Sequence, residues 1–377
     1  MAAIPGMLRL PLVRREVIHL IDKEVRNIRT GVIGCGYWGP KLARNFQSIP
    51  GSDLQIVADL RQDRLDHIHG LYPGVRTTRE HLELLDSPVE AIAIATPVSS
   101  HYRLAREALL HDKHVLVEKP LTDNSGDASD LIDLARERDR VLMVGHTFEY
   151  NPAVEDLKNR IATGELGSVY YINCTRVNLG IFQNDINVIW DLAPHDVSIL
   201  LYILGMAPSQ VSARGAAYVQ SGIEDVAHVT LYFPTGIMAD MRVSWLDPCK
   251  IRRITVIGSK KMIVYDDVEP TEKIKIYDIG VEAPPYSDTM EEFRLSYRYG
   301  DITTPAISNA EPLEVECRHF LDCIRNARVP RSDGRVGLQV VKILEGAQRS
   351  LRNGGTMESL SWDEWAPSVR PAPTSIS

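Results

Sequence analysis

A glycine-rich turn near the start of the chain limits the possible folds more than any other feature of the sequence. The apolar run 30–33 leads directly into residues 34–39, GCGYWG, and a helix-favouring segment follows. In this spacing the first glycine permits a tight turn, the second lets the backbone approach a pyrophosphate, and the third lets the helix pack close to the strand. The amino end of the helix adds N–H donors and a partial positive charge. The turn therefore predicts a βαβ unit that binds a dinucleotide.

An aspartate at the end of the second strand indicates which dinucleotide is bound. Asp59 follows the apolar run 54–58, at the distance expected of the residue that contacts the adenosine ribose. Its carboxylate would accept hydrogen bonds from the ribose hydroxyls and repel a 2′-phosphate, so the sequence favours NAD over NADP. Arg61, two residues later, leaves NADP as the less favoured alternative. The cofactor contacts predicted in these two segments are Gly34, Gly36, Tyr37, Trp38, Gly39, Asp59 and Arg61.

Between residues 29 and 145, short apolar runs alternate with amphipathic helical runs. The expected strands are 30–33, 54–58, 91–95, 114–117 and 141–144. The expected helices are 40–48, 62–71, 79–86, 101–111 and 127–137. This alternation indicates βαβ units and a parallel sheet covered on both faces, which is an α/β Rossmann domain.

The pattern changes after about residue 151. A helix at 152–163 precedes longer strands that turn signals separate, as in antiparallel hairpins. The expected strands are 168–178, 210–219, 226–233, 236–245, 253–257, 261–266 and 273–277, and the further helices are 191–204, 312–326 and 334–352. These elements predict an α+β domain with a large, mostly antiparallel open sheet and helices on one face. The predicted organisation is an appendage at 1–27, a cofactor domain at 28–148, a substrate and oligomerisation domain at 149–362, and a disordered tail at 363–377.

Composition excludes several classes of protein. Lys and Arg number 42 against 50 Asp and Glu, a net charge of −8, so the chain has no broad attraction for nucleic acid or an anionic membrane. No apolar run approaches the roughly 18 residues of a membrane span. The five cysteines are an odd, scattered set, which is typical of reduced thiols in a cytosolic protein. Cys317, His319 and Cys323 fall short of the four ligands of structural zinc, and we expect no metal.

Three segments carry residues that could do chemistry: the loop after the strand 91–95, the end of the strand 114–117, and the start of the helix 191–204. Thr96, Pro97 and His101 follow the strand 91–95, where loops face the ligand crevice, although a proline turn and a helix cap would explain them equally well. Glu118 and Lys119 end the strand 114–117 at the same edge of the sheet.

A lysine at this edge could stabilise developing negative charge on a substrate oxygen, but an isolated lysine is more often a solvated surface residue. Asp191 and His195, four residues apart, share one helix face. Histidine is suited to general base work near neutral pH. Asp191 could instead be a helix N-cap and His195 a core residue.

Taken together, these segments resemble the glucose–fructose oxidoreductase / myo-inositol 2-dehydrogenase (Gfo/Idh/MocA) family over residues 28–362. The motifs that carry the resemblance are GCGYWG at 34–39, ATP at 95–97, EKP at 118–120, GHTFEYNPA at 145–153 and DLAPHD at 191–196. The resemblance implies an NAD(P)-dependent dehydrogenase with Lys119, Asp191 and His195 as catalytic residues. In that mechanism the histidine takes the hydroxyl proton, the lysine holds the reacting oxygen and the hydride passes to nicotinamide.

The resemblance also implies a substrate. The predicted substrate contacts are Lys119, His146, Tyr150, Asn151, Arg176, Asn178, Asp191, His195 and Arg298. Residues 176–196 and 297–301 look similar to members linked to nucleotide sugars, so we expect oxidation of the 3-hydroxyl of a sugar such as UDP-N-acetylglucosamine. Arg176 and Arg298 are the candidate phosphate contacts, because guanidinium binds phosphate in bidentate fashion. Sheet-edge polarity is the alternative explanation for Arg176 and Asn178.

One departure from the family pattern and two alternative functions stay open. Many members of the family carry arginine where this chain has Glu149, and an acidic residue there suits sugar hydroxyls better than an anion. A free sugar or inositol dehydrogenase is the first alternative function, and a non-catalytic NAD-binding regulator is the second. The family's open sheet implies a homodimer or homotetramer, to which Val226, Val229 and Leu231 could contribute apolar surface.

Overall fold

A computed structural model describes residues 26–282 and 296–362 of the 377-residue chain. The predicted disordered tail and all but the last two residues of the predicted appendage lie outside these ranges. Within the described residues, no helix is long and apolar enough to cross a membrane, and no group of His, Cys, Asp or Glu is arranged to hold a metal ion.

The first part of the chain forms the predicted parallel sheet. Its strands are β1 Ile28–Ile33, β2 Ser52–Ala58, β3 Arg76–Thr78, β4 Ala91–Ile94, β5 His114–Glu118 and β6 Leu142–Gly145. Its helices are α1 Gly39–Ser48, α2 Gln62–Leu71, α3 His81–Leu85, α4 His101–Leu110 and α5 Ser125–Glu137. The strand order is β3-β2-β1-β4-β5-β6, so the crossover between β1 and β4 opens a crevice at their carboxyl ends. The Rossmann fold is confirmed, and only β3, three residues long, escaped the sequence pattern.

The second part of the chain forms a nine-stranded sheet. Its strands are β7 Val169–Val177, β8 Gln210–Ala216, β9 Val226–Tyr232, β10 Met238–Ser244, β11 Ile251–Gly258, β12 Met262–Asp266, β13 Ile274–Glu282, β14 Ser296–Thr303 and β15 Glu358–Ser359. The order is β14-β13-β12-β11-β7-β10-β9-β8-β15, antiparallel except for the pair β7 and β10. This mostly antiparallel sheet is as predicted. β14 was missed because nearly all of its residues face solvent and give no apolar alternation.

Four helices complete the chain: α6 Pro152–Ala162, α7 Val188–Leu204, α8 Pro312–Asn326 and α9 Gly334–Arg352. α8 packs Phe320 and Leu321 into the core that contains Phe46 of α1, so it belongs spatially to the cofactor domain. α9 contributes Leu338 to one core and Ile343 to the other, and therefore joins the two sheets.

The face of the large sheet beneath the helices forms its core. Val229 and Leu231 are 2% and 0% exposed in this core, and Val226 is half-buried. The expectation that these three residues supply a subunit interface is therefore wrong for Val229 and Leu231, because the chain's own helices already cover them.

Candidate active site

A cleft of about 620 Å³ lies at the carboxyl ends of β1, β2, β4 and β5 and reaches the first turn of α7. Its wall contains most of the predicted cofactor contacts, namely Gly34, Gly36, Tyr37, Trp38, Asp59, Arg61, Thr96, Pro97, Glu118 and Lys119. The parallel sheet brings these residues together because every strand ends at the same edge.

The glycine turn is shaped as the spacing requires. Gly34 has a φ of +95°, and a Cβ there would lie 2.7 Å from the Ala95 carbonyl oxygen. A Cβ on Gly39 would lie 1.9 Å from the Gly34 oxygen, so the helix approaches too closely for any side chain. A Cβ on Gly36 would meet only an Arg64 nitrogen at 3.7 Å, which leaves its backbone open to the cleft. This cradle, with an acidic residue at the end of β2, fits a dinucleotide.

Asp59 holds the turn as well as facing the cleft. Its Oδ2 accepts a hydrogen bond from the Cys35 N–H at 2.5 Å, and its Oδ1 accepts one from the Arg61 N–H at 2.8 Å. The Arg61 side chain is paired with Asp63 at 2.5 Å and is exposed. The Asp59 carboxylate therefore stays at the end of the cleft where the ribose is expected. Arg61, the residue that left NADP as an alternative, already has an acidic partner.

His101 lies behind the cleft wall. It is 1% exposed, and its ring nitrogens lie 2.8 Å from the Thr96 carbonyl oxygen and 2.9 Å from the Pro120 carbonyl oxygen. Burial lowers the pKa of His101 by more than the hydrogen bonds to these two carbonyl oxygens raise it. His101 thus ties the loop after β4 to the loop after β5, and the structure places it as a support for the predicted cofactor contacts around it.

Lys119 and Asp191 meet at the far end of the cleft. Lys119 Nζ donates to the Asp191 carbonyl oxygen at 2.7 Å and lies 3.5 Å from Asp191 Oδ1. Asp191 Oδ2 accepts a hydrogen bond from the indole Nε1 of Trp245 at 2.9 Å. Asn187 is the N-cap of α7, so the alternative that Asp191 caps this helix is wrong. Trp245 has no sequence signal, because its contact with Asp191 spans 54 residues.

His195 follows one turn later on α7, and its ring packs edge-on against Phe148 with centroids 4.9 Å apart. Burial, then the positive charges of Lys119 and Arg176, lower the pKa of His195 well below its usual value, so the imidazole is neutral. Its Nδ1 has no hydrogen-bond partner among the described residues. His146, fully buried nearby, has a pKa lowered to about 3 by burial and by Lys119, and neither ring nitrogen has a described partner.

Arg176 is not placed as a free phosphate contact. Its Nη2 lies 2.8 Å from Asp196 Oδ1, and both side chains are 3% exposed. The guanidinium also packs over the Phe148 ring at 4.7 Å. The candidate phosphate contact Arg176 is therefore held in an ion pair inside the core, and its Nη1 has no hydrogen-bond partner among the described residues. Its role as a phosphate contact stays a prediction.

A second arginine, Arg252, was not predicted from the sequence and is a further candidate for the phosphate contact. Arg252 on β11 is 30% exposed, its Nε has no described partner, and its nearest carboxylate, Asp267, is 4.0 Å away. Its positive charge acts on His195. Arg252 shares the face of the buried Ile254 and Val256, whereas Arg253, on the other face of β11, is exposed and paired with Asp266 at 2.8 Å.

The remaining predicted substrate contacts are away from the cleft or already bonded. Tyr150 is 2% exposed, with its hydroxyl 2.9 Å from the Ser332 hydroxyl. Asn151 caps α6 and donates to the Tyr265 hydroxyl. Arg298 lies on β14, at the edge of the large sheet, paired with Asp278. These contacts support the fold, and the roles of the three residues as substrate contacts stay predictions.

Asn178 is half-buried at the end of β7, and its backbone N–H donates to the Ser244 carbonyl oxygen, one residue from Trp245. It stays a candidate contact on position alone. The catalytic roles of Lys119, Asp191 and His195 likewise stay predictions, now supported by their proximity.

Fold and cleft together define an NAD-binding dehydrogenase that acts on a CH–OH group. Residues 28–146 match the model of the oxidoreductase family with an NAD-binding Rossmann fold, GFO_IDH_MocA, and residues 154–264 match the GFO/IDH/MocA C-terminal domain. The chain belongs to the Gfo/Idh/MocA family of oxidoreductases, as the motifs predicted.

Two curated relatives differ in substrate but are about equally similar. UDP-N-acetylglucosamine 3-dehydrogenase of Acidithiobacillus ferrooxidans is 28% identical over 323 residues, covering 84% of this chain and 94% of that protein. Myo-inositol 2-dehydrogenase of Thermotoga maritima is 26% identical over 348 residues, covering 86% and 96%.

Solved structures support the same fold. That of the A. ferrooxidans enzyme superposes with a TM-score of 0.72 at 27% identity, over 87% of this chain and 98% of that one. GenD2 from gentamicin A biosynthesis, solved in complex with NAD, shares the fold at 23% identity, with a TM-score of 0.76 over 90% and 97% of the two chains.

Proposed function

We propose that the protein uses NAD⁺ to oxidise a secondary hydroxyl of a nucleotide-linked sugar, at the 3-position of a sugar of the UDP-N-acetylglucosamine type. The observation that supports the chemistry is the contact between Lys119 and Asp191 at the inner end of a dinucleotide cleft, with His195 one turn further along the same helix as Asp191. An ammonium group, a carboxylate and a neutral imidazole are the groups that alcohol oxidation needs.

Each of the three side chains has a role in this reaction. When bound, NAD⁺ supplies the hydride acceptor. The Lys119 ammonium, held by the Asp191 carbonyl, donates a hydrogen bond to the reacting oxygen and favours its alkoxide character. The His195 ring, kept neutral by its surroundings, accepts the hydroxyl proton. Asp191, fixed by the Trp245 indole, keeps Lys119 in place and orients the substrate.

The preference for a nucleotide sugar rests on Arg252 and on one relative. Arg252 has one buried N–H unsatisfied and its charge acts on His195, and a guanidinium in this state suits a phosphate oxygen. The relative named as acting on UDP-N-acetylglucosamine covers nearly the whole described chain.

Oxidation of a free sugar or inositol is the second candidate. Arg176 and Arg298, the two arginines first expected to bind a diphosphate, are both paired with aspartates, and a free polyol needs neither of them. The similarity to myo-inositol 2-dehydrogenase supports this candidate equally well. A purely regulatory NAD-binding protein has no comparable support, since its cleft would not need an ammonium group such as Lys119 held against Asp191.

Steady-state NAD⁺ reduction with UDP-linked and free sugars separates the two candidates. We expect turnover of UDP-N-acetylglucosamine, and a loss of about 10²–10³-fold in kcat for Lys119→Met and 10²–10⁴-fold for His195→Asn. NAD⁺ binding, followed by fluorescence, should persist in His195→Asn, because His195 is not among the predicted cofactor contacts. Turnover of inositol or glucose alone would refute the nucleotide-sugar assignment and leave the catalytic assignment standing.

Arg252 and Arg253 form a matched pair for the phosphate contact. Successive residues of a strand face opposite sides of the sheet, and Arg253 is exposed with its own acidic partner. Arg252→Met should raise KM for the UDP-sugar about tenfold or more, while Arg253→Met should leave it unchanged. Equal effects of the two variants would remove Arg252 from the substrate site.

A homodimer or homotetramer and a cytosolic location complete the proposal. The face of the large sheet opposite the helices carries exposed Tyr171 and Met238, 42% and 37% exposed, which a second copy would cover. The five cysteines are unpaired, as in a reducing compartment. Analytical ultracentrifugation that finds only a species near 42 kDa would refute self-association.

A further inference from the structure

A second cavity, of about 260 Å³, lies apart from the cofactor cleft and shares none of its lining residues. It forms where the short 3-10 segment Thr147–Tyr150, the end of α7 and the start of α9 meet α6. Its polar lining residues are Glu149, Lys158, Tyr202, Arg331 and Gln339. None of these residues has a part in the proposed oxidation.

Two cations line this cavity. Lys158 Nζ lies 3.7 Å from the centroid of the Tyr202 ring, and no ion pair or hydrogen bond joins it to another described residue. The Arg331 guanidinium lies 5.1 Å from the same ring, and its charge together with burial lowers the pKa of Lys158. Like charges on one cavity wall, one of them without a counter-ion, favour an anion.

The carboxyl group of Glu149 does not fill that role. Glu149 is 1% exposed, and its Oε1 has no hydrogen-bond partner among the described residues. Burial raises the pKa of Glu149 well above its usual range, which favours the protonated carboxyl, a group that can donate a hydrogen bond. An unpartnered, buried polar group at a cavity is a group that a ligand can satisfy.

We propose that this cavity binds a small molecule bearing an oxyanion, either a carboxylate or a phosphate, between Lys158, Arg331 and Glu149. Leu201, Met206 and Val336 form the apolar part of the wall, so the ligand has a short carbon skeleton beside its charge. The volume lies below the roughly 300–1,000 Å³ of sites for drug-sized ligands, which limits the ligand to a small metabolite.

The site is joined to the catalytic groups by one short segment. Glu149 follows Phe148 directly, and Phe148 packs against both His195 and Arg176. A ligand held by Glu149 would therefore fix the segment that forms one wall of the catalytic site.

The test uses the full chain saturated with NAD⁺, so that the glycine turn is not available to the probes. The probes are inorganic phosphate and acetate, titrated at constant ionic strength, and the readout is the rise in Tm that binding to the folded state produces. We expect a saturable rise with at least one probe, and the probe with the lower midpoint identifies the preferred oxyanion.

Three variants locate the binding. Lys158→Met should weaken the binding about tenfold, Lys158→Arg should retain it, and Lys275→Met, which removes a lysine paired with Glu272 on the large sheet, should leave it unchanged. Retention by Lys158→Arg shows that a loss in Lys158→Met reflects the missing charge and not a misfolded chain. No saturable rise in the parent, or an equal rise in Lys158→Met, would overturn the proposal.

Discussion

Removing one partner of the buried ion pair between Arg176 and Asp196 tests whether this pair stabilises the fold. Arg176 Nε lies 3.1 Å from both Asp196 oxygens, and both side chains are 3% exposed. Asp196→Ala would leave a buried guanidinium without its counter-ion. We expect this substitution to lower the free energy of unfolding by about 3–5 kcal/mol, as is usual when one partner of a buried pair is removed.

Thermal unfolding of the cofactor-free protein measures this loss. A change of 1 kcal/mol shifts Tm by about 2–4 °C in domains of 150–250 residues, so the expected fall is about 6–20 °C. Circular dichroism, at one protein concentration for parent and variant, gives the two midpoints. A urea titration of the same samples gives the free-energy difference directly.

Asp133→Ala is the matched control, because the same substitution removes an exposed partner of Arg136. Its side chain is 58% exposed, and we expect a change within about 0.5 kcal/mol. Equal losses for Asp196→Ala and Asp133→Ala would refute the reasoning. So would an Asp196→Ala variant of full stability with a raised KM for a UDP-sugar, because Arg176 would then act on the substrate and not on the core.

Three further predictions concern the cleft. Trp245→Phe removes the indole N–H that holds Asp191 at 2.9 Å, and kcat/KM should fall about tenfold, mainly in kcat, by steady-state kinetics. Glu118→Gln should gain stability relative to the parent as pH rises from about 4.5 to 7. Burial raises the pKa of Glu118 to about 7, so the folded parent keeps a proton that the unfolded chain releases. Urea titrations at several pH values should therefore show that the free energy of unfolding of Glu118→Gln exceeds that of the parent by about 3 kcal/mol more at pH 7 than at low pH. Gly39→Ala puts a Cβ 1.9 Å from the Gly34 oxygen, and the Kd for NAD⁺ should rise at least about tenfold by fluorescence titration.

Each of these predictions has its own control. Phe182→Leu trims the ring 5.6 Å from Trp245 without removing the N–H, and should leave kcat unchanged. A stability difference that stays constant with pH would contradict the protonated Glu118. Gly70→Ala adds a Cβ that meets nothing within 4 Å and should leave NAD⁺ affinity intact. If Gly39→Ala bound NAD⁺ as Gly70→Ala does, the close helix approach would not matter for the cofactor.

Local patterns in the sequence were enough to predict the cofactor domain. Its strands and helices follow from hydrophobic periodicity, and the helix at 62–71 has the predicted bounds. The helices at 312–326 and 334–352, later in the chain, also have the predicted bounds. Gly34, Gly36 and Gly39 act through backbone geometry within six residues, so their spacing alone specifies the turn. Lys119 could be placed at the cleft because parallel strands all end at one edge.

Packing between distant segments decided which polar side chains meet. Arg176 is paired because α7 lies across β7 and brings Asp196 to 2.8 Å from it, whereas Asp267 lies 4.0 Å from Arg252 on β11. The alternation of a strand shows which residues share a face, but not which charges another element brings to that face. The same reason explains why the bond from Trp245 to Asp191 was not predicted.

The sequence by itself determined the Rossmann fold and its dinucleotide cleft, because both depend on residues close together in the chain or on the common edge of a parallel sheet. The catalytic roles of Lys119, Asp191 and His195 came from the resemblance to the family and stay predictions. Only the tertiary structure decided that Val229 and Leu231 face helices, that Tyr150 and Asn151 support the fold, and that a second cavity lies beside Glu149. Burial and ion pairing depend on distances through space, and these are fixed only when the helices pack on the sheet.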